Sequence, residues 1–505
     1  MTLGQVKSIA LQGLQGTLIE IQVDISDGIP TYSLLGLPDT SLQESRDRVR
    51  AALTNSGQKW PNKKVTVSLS PAWLPKSGPG FDCAIALALL VAEGVIPQEP
   101  LEDVVILGEL SLEGRIRSVR GVLPSLIAAH RAGIRKAIVP HENLQEAQLL
   151  PGMNILTFQS VREIVQWIAT GEYVIAETLD LETLDDSQPL DFEDVAGQSK
   201  ARFAAEVAAS GGHHLLLIGP PGAGKTMIAS RLPTILPALT EAESLEVTAI
   251  HSVAGGLANR SPMSKVAPIV SPHHSATRAA IVGGGNRTIT PGAISLSHRG
   301  VLFIDEAPEC AHGILDALRQ PLESGTITIG RAIGSAIFPA RFLLVLAANP
   351  CPCGKYTGKG LACTCSSLQV RRYMSKLSGP LMDRIDIRVE VDPVGRTELA
   401  SEELSEDSAA IRARVLQARE RAGQRFKDES WSLNSEIPAT ALRVQYRPER
   451  AAMNFLHDEL DKERITARGL HKVIRLSWTL ADLSEREVPN LDDVKRAYLL
   501  REGSI

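Results

Sequence analysis

Hydrophobic and polar positions change their period along the chain, and the changes divide it. Near the start, "LIEIQVDI" (18–25) and "KKVTVSLS" (63–70) alternate with period two, which predicts half-buried strands. Helical patterns such as "FDCAIALALLVAEG" (81–94) lie among them, so residues 1–170 predict a compact α+β domain. Acidic residues and proline then take over in "ETLDLETLDDSQPLDFEDV" (177–195), which predicts a linker over 171–195. Beyond it the apolar blocks are unbroken: "LLLIG" (215–219), "VLFID" (301–305) and "RFLLVLAAN" (341–349). Strands buried on both faces read this way, and alternation with helices predicts a doubly wound parallel sheet over 196–395. From 396 to 505 the chain turns polar and helical, through "SEELSEDSAAIRARVLQARERAG" to "ARGLHKVIRLSWTLADL" and "LDDVKRAYLL". The fold class is α/β, and no period of repeat length is visible.

A length of 505 residues allows several domains with ample core. The longest apolar stretch, "CAIALALLVA" (83–92), is too short to cross a bilayer, and no early segment joins a basic end to a long apolar run. The expectation is a cytoplasmic protein with no membrane partner. Six cysteines in such a length make no disulfide framework. A net charge of −5 argues against a globally basic nucleic-acid binder, but the charge is unevenly spread. No Asp or Glu occurs from Val247 to Ile304, although Arg260, Lys265, Arg278, Arg287 and Arg299 do. A second acid-free run, Ser324 to Met382, carries Arg331, Arg341, Lys355, Lys359, Arg371, Arg372 and Lys376. Strands that exclude all charge would not retain these cations.

"LLLIGPPGAGKT" is a strand running into Gly219, Pro220, Pro221, Gly222, Ala223, Gly224, Lys225 and Thr226, with a helix behind it. In type and context this is a phosphate loop. Its backbone N–H groups and helix N-terminus would close on the phosphates of ATP, Lys225 would reach the β- and γ-phosphates, and Thr226 would ligate Mg²⁺. "VLFIDEAPE" ends an apolar strand in two acids: Asp305 for the Mg²⁺ shell, Glu306 to polarise the attacking water. Asn349, at the end of the next strand, suits a water-orienting amide, or else only starts a turn before Pro350. Arg384 in "GPLMDRIDI" suits a finger reaching a neighbour's nucleotide in a ring, or else a surface salt bridge with Asp383 or Asp386.

The string "GPPGAGKT", "HRGVLFIDEAPE", "LAANPCPCG", "SGPLMDRIDI" and "TARGLHKVIRLSWTLADL" resembles the magnesium-chelatase-like AAA+ ATPases, most closely the YifB/ComM family, over nearly the whole chain. The resemblance implies an AAA+ core followed by a helical lid, in which Arg468 of "TARG" matches the arginine that senses the γ-phosphate. It also implies hexameric rings that drive branch migration of DNA, a helicase-like motor promoting integration of incoming strands in natural transformation, with recombination proteins as further partners. Residues 75–93 and 108–140 resemble the Lon protease domain. There Gly80 occupies the place of the serine nucleophile and Leu123 that of the lysine base, and no lysine occurs from Ser77 to Arg135. A Ser–Lys dyad is absent, so the domain should be inert as a peptidase.

Two readings of the motor's substrate remain. In one, "AAIVGGGNRTITPGAISLSHRG" and "GTITIGRAIGSAIFPARF" are pore hairpins that carry Arg287 and Arg331 onto nucleic-acid phosphates without reading bases. With only 4% aromatic residues the grip would be electrostatic rather than stacking. In the other, the chain remodels a protein, as the chelatase motor subunit is implied to do. Finally, Cys351, Cys353, Cys363 and Cys365 could surround one tetrahedral Zn²⁺, with Lys355 and Lys359 in the intervening loop facing DNA. Unligated thiols or a redox disulfide are the alternatives.

Overall fold

The computed structural model describes residues 3–173 and 190–503, apart from 256, 258–262, 286–287, 312, 332–333, 357–361, 394 and 396–404. Arg260, Arg287, Lys359, most of the expected linker and the start of the C-terminal unit lie outside the described residues.

The N-terminal unit is a seven-stranded mixed sheet in the order Thr31–Leu35, Lys64–Ser70, Gln15–Ser26, Leu3–Gln12, Val104–Ile106, Lys136–Pro140, Asn154–Phe158. The period-two segments pair antiparallel, Ile21 opposite Leu69 and Val23 opposite Val67, which puts their apolar sets on one face. All eleven residues of the Asp82–Ala92 helix are buried, because it packs against both the sheet and the Ser45–Asn55 helix. Neither position matching the protease dyad carries a polar side chain. A Cβ on Gly80 would stand 3.8 Å from Val119 Cγ1, and Leu123 is fully buried. Lys76, the nearest lysine before that stretch, is also fully buried, and its ammonium donates to the Pro71 carbonyl.

The second sheet has five strands, all parallel: Ile269–Val270, Val301–Ile304, Leu343–Ala348, Leu215–Ile218, Ile387–Glu390. Every residue of Val301–Ile304 and Leu343–Ala348 is buried, as unbroken apolar blocks between helices require. The C-terminal helices are not a separate layer. Ser408–Arg425 packs on Ser199–Gly211 and on Lys225–Ile235, while Leu491–Glu502 packs on Ile387–Glu390. One core therefore runs from Phe192, Leu215 and Val345 to Val415, Trp478 and Leu500. Phe192 and Val195, at the end of the acidic stretch, belong to it, and Arg231 holds Asp194 at 2.7 Å.

The N-terminal unit meets the ATPase-like core at a buried carboxylate. Glu146 accepts from the Ser252 hydroxyl, from the Leu123 N–H at 2.7 Å and from Asn143 at 3.3 Å, and burial pushes its pKa up. The lid is tied to the sheet by a second buried charge. Lys472, on the Ala467–Leu483 helix, donates to Asp386 at 2.6 Å, and Asp386 also accepts from the His214 N–H at 3.1 Å. Burial alone would raise Asp386, but the Lys472 charge and the His213 ring hold it well below the usual carboxylate range.

Removing one partner leaves the other charge buried and unpaired. Lys472→Met should lower stability by about 3–5 kcal/mol, and adding Asp386→Asn should restore most of the loss. Urea unfolding of the two singles and the double measures this. Losses that simply add would show the pair to be uncoupled.

Candidate functional site

Pro220 through Gly224 link the Leu215–Ile218 strand to the Lys225–Ile235 helix, whose N-terminus faces the loop. Gly219 is required by close approach: a Cβ there would stand 2.3 Å from the Val391 carbonyl oxygen. The Lys225 ammonium, on a residue that is nine-tenths buried, donates to the carbonyls of Gly219 (2.6 Å) and Pro220 (2.9 Å) and to Asn349 Oδ1 (3.2 Å). Burial lowers its pKa against the pull of Asp305 and Glu306. Thr226 Oγ1 donates to Asp305 Oδ2 at 2.8 Å, an all-oxygen pair of the kind Mg²⁺ prefers. Asp305 Oδ1 accepts the Glu306 N–H at 2.8 Å, and Glu306 sits in the left-handed region (φ 48°, ψ 42°). That turn breaks the strand's alternation right after Asp305. The structure thus brings Lys225, Thr226, Asp305, Glu306 and Asn349 together at the carboxyl ends of three adjacent parallel strands.

Sequence reasoning missed His274. Its Nδ1 lies 3.1 Å from Glu306 Oε2, and its ring stacks on His273 with centroids 4.1 Å apart. It lies shortly after the edge strand Ile269–Val270 and four residues before the Arg278–Val282 helix. The only signal in the chain was a His-His pair following a short apolar run, which by itself names no partner.

Arg384 and Arg468 are elsewhere. Arg384 precedes the start of Ile387–Glu390, whereas the phosphate loop follows the end of its parallel neighbour Leu215–Ile218, with Leu215 opposite Ile387. About 13 Å of strand separates the two ends. Arg384 and Arg468 line one cleft of about 700 Å³, whose walls include no residue of the phosphate loop and none of Asp305, Glu306 or Asn349. Arg384 is held by Glu323 and by the Pro380 carbonyl (2.6 Å), rather than by Asp383 or Asp386. Arg468 pairs with Asp383 at 3.4 Å. In the same walls Arg419 and Arg475 donate to the main-chain carbonyls of Ala209 and Ile437, with Glu243 and Glu436 facing Arg419 and Asp386 facing Arg475. Burial pushes Arg419 down to about 10.

The two expected hairpins are present. Gly283–Gly284 pairs with Thr290–Pro291, and Thr326–Arg331 pairs with Gly334–Pro339. They lie side by side, with the Arg331 guanidinium over Gly284, where a Cβ would stand 2.4 Å from it. The second hairpin is braced by the N-terminal unit: a Cβ on Gly13 would lie 3.1 Å from that of Ala336. Lys265, Arg278, Arg331, Arg341, Lys355, Arg371 and Arg372 are exposed and make no ion pair with the described residues. Arg299 and Lys376, by contrast, are paired with Glu243, Glu246 and Glu309.

The four cysteines converge. Cys351 Sγ lies 3.3 Å from Cys353 and 3.6 Å from Cys363, and all four sulfurs fall within 4.8 Å of one another. Zn–S bonds of about 2.3 Å in a tetrahedron put sulfurs about 3.8 Å apart, so the donor set fits one zinc ion. The main-chain N–H of Cys365 donates to Cys363 Sγ at 3.4 Å, a bond that favours a thiolate ligand.

Residues 191–399 match the family model described as magnesium chelatase, subunit ChlI; residues 21–143 match subunit ChlI of Mg-chelatase, and 405–501 its C-terminal part. The chain is 47% identical over 502 residues to an uncharacterised protein of Mycobacterium bovis, covering 99% of both. It is 39% identical over 489 residues to the competence protein ComM of Haemophilus influenzae, covering 96% of this chain and 94% of that one. Over 175 residues, 32% of this chain and 22% of the other, it is 27% identical to the Lon protease of Buchnera aphidicola. With the phosphate loop, the acid pair and the appended helices in these places, the chain belongs to the YifB/ComM family of magnesium-chelatase-like AAA+ proteins.

Proposed function

We propose that this chain is a ring-forming ATPase that moves along DNA without reading its sequence and promotes integration of incoming strands in natural transformation. The observation that carries the ring is the separation of the two halves of the site. The phosphate loop stands at the carboxyl ends of the sheet, whereas Arg384 and Arg468 line a cleft at the opposite ends. Neither arginine reaches its own subunit's loop, so each serves the nucleotide of a neighbour.

In that ring Lys225 and the loop N–H groups hold the phosphates, and Thr226 and Asp305 hold Mg²⁺, which neutralises phosphate charge when bound. Glu306 takes the proton of the attacking water, with Asn349 orienting that water and His274 orienting the carboxylate. The neighbour's guanidinium groups stabilise the charge that develops in transfer. Support for DNA comes from the exposed, unpaired cations on and around the hairpins and from the name of the Haemophilus relative. Peptidase activity has no place in this reading, since Gly80 and Leu123 offer neither nucleophile nor base.

Glu306→Gln should bind ATP normally and hydrolyse it on the order of 10²–10⁴-fold more slowly. His274→Ala should lower kcat by less and leave nucleotide affinity unchanged, with His274→Gln recovering part of the rate. Steady-state kinetics beside nucleotide titration separates the two effects; unchanged kcat in His274→Ala removes its role.

Arg384→Ala and Arg468→Ala should each lose hydrolysis, by on the order of 10³-fold for the finger, while the subunit still binds ATP. Mixing Arg384→Ala with Lys225→Ala subunits should restore activity, because an intact loop then meets an intact arginine. Mixed rings that stay inactive at every ratio would overturn action across the interface.

With a non-hydrolysable ATP analogue, labelled single-stranded DNA of unrelated sequences should bind with equal, salt-sensitive affinity. Arg331→Ala should weaken all of them alike and reduce the salt slope by about one. No salt-sensitive binding by intact rings would replace the DNA motor with a protein remodeller.

A further inference from the structure

The cysteine cluster touches the phosphate loop, a contact that its spacing in the chain did not suggest. Gly354 has φ +72°, and a Cβ there would stand 2.5 Å from Pro221 Cδ and 2.8 Å from Cγ. Main chain of the cysteine turn therefore lies directly on the proline ring, closer than any residue with a side chain allows. The root of the same turn is rigid: Cys351 is fully buried, two residues beyond the Asn349 amide that accepts from Lys225. Gly354 donates its N–H to the Cys351 carbonyl at 3.0 Å, so the residue on Pro221 is held by the ligand-bearing turn itself.

From these contacts we propose that the four-cysteine turn is a brace for the phosphate loop, so that zinc in the cluster and nucleotide in the loop strengthen each other's binding. This rests on the fit of the four cysteines to one zinc ion and on the reading above that the loop holds ATP. A phosphate loop rich in glycine loses much backbone freedom when its N–H groups converge on an anion. Pro221 is a stiff point in that loop, exposed to solvent on its remaining side, and the cysteine turn bears on it. The turn in turn has little apolar material with which to order itself. Of its four cysteines only Cys351 is buried, and Pro352, Lys355 and Tyr356 are exposed. A four-thiolate zinc site supplies that order through bonds rather than through packing. Nucleotide binding then begins from a loop already held near its bound shape, which lowers the ordering cost of association. Linkage makes the effect reciprocal: whatever factor zinc adds to nucleotide affinity, nucleotide adds to zinc affinity.

The test uses the full chain as purified, without metal-affinity steps. Elemental analysis should find one zinc per chain. A fluorescent ATP analogue should bind the zinc-loaded protein more tightly than protein stripped by a chelator, by on the order of 5–150-fold. In the opposite direction, a chromophoric chelator should extract zinc less readily when a non-hydrolysable ATP analogue is present, by the same factor. Gly354→Ala, whose methyl pushes the turn off Pro221, should keep one zinc per chain, bind nucleotide like the stripped protein and lose the nucleotide effect on zinc extraction. Zinc present with equal nucleotide affinity in loaded, stripped and Gly354→Ala protein overturns the brace and leaves both sites standing. Metal-free protein with four readily titrated thiols and normal nucleotide binding overturns it at the level of the zinc site alone. If stripped protein unfolds, the zinc-loaded Gly354→Ala comparison decides by itself.

Discussion

The buried ion pair between Asp386 and Lys472 sets the geometry on which the rest depends. Asp386 stands two residues beyond Arg384, at the start of the last strand of the sheet, and Lys472 stands one helical turn beyond Arg468. Residues four and seven apart share a helix face, so seating Lys472 against Asp386 turns Arg468 and Arg475 toward the same cleft. Two cations from distant parts of the chain thereby line one cleft, Arg384 on Glu323 and Arg468 on Asp383. Such a pair contributes little net stability over an apolar isostere; what it contributes is register, since a lid rotated by one residue would bury a charge without a partner. The His214 N–H on the other Asp386 oxygen extends the same register to the strand that carries the phosphate loop.

Much of this was legible in the sequence because it is local. A phosphate loop is one continuous stretch whose glycines, lysine and threonine have fixed roles, and Asp305 and Glu306 are adjacent at the end of an apolar run. Continuous apolar blocks foretold the parallel sheet, and alternation foretold the antiparallel pair Gln15–Ser26 and Lys64–Ser70. The cysteines foretold their own convergence, being close in the chain. The two hairpins were readable from glycine-rich turns between short β-like runs.

What escaped the sequence is what the fold assembles from separate places. His274 reaches Glu306 from the turn after a neighbouring strand, thirty-two residues earlier in the chain, and nothing in its own surroundings declares a partner. Gly354 meets Pro221 because two adjacent strand ends release their loops over the same spot. Glu146, buried between Leu123 and Ser252, joins two units that composition alone would keep apart. The lid, expected from its polar pattern as a separate helical unit, shares one core with the sheet, because Val415, Trp478 and Leu500 each show their apolar face only once per turn. A polar pattern reports the solvent side of a helix and understates what lies beneath.

A parallel sheet has two chemically different ends, and this chain uses both. All strands of the ATPase-like sheet finish on the side where Lys225, Thr226, Asp305, Glu306 and Asn349 gather. All begin on the side where Arg384 and Arg468 gather. A closed site needs an anion holder and a cation supplier within a few ångströms, and one copy carries them at opposite ends. In the proposed ring the starting end of one sheet would meet the finishing end of the next, a head-to-tail contact. His274, on the segment between the edge strand Ile269–Val270 and the Arg278–Val282 helix, meets Glu306 at the finishing end of the sheet. In the ring proposed above, hydrolysis would therefore depend on the neighbour, whose arginines complete the site.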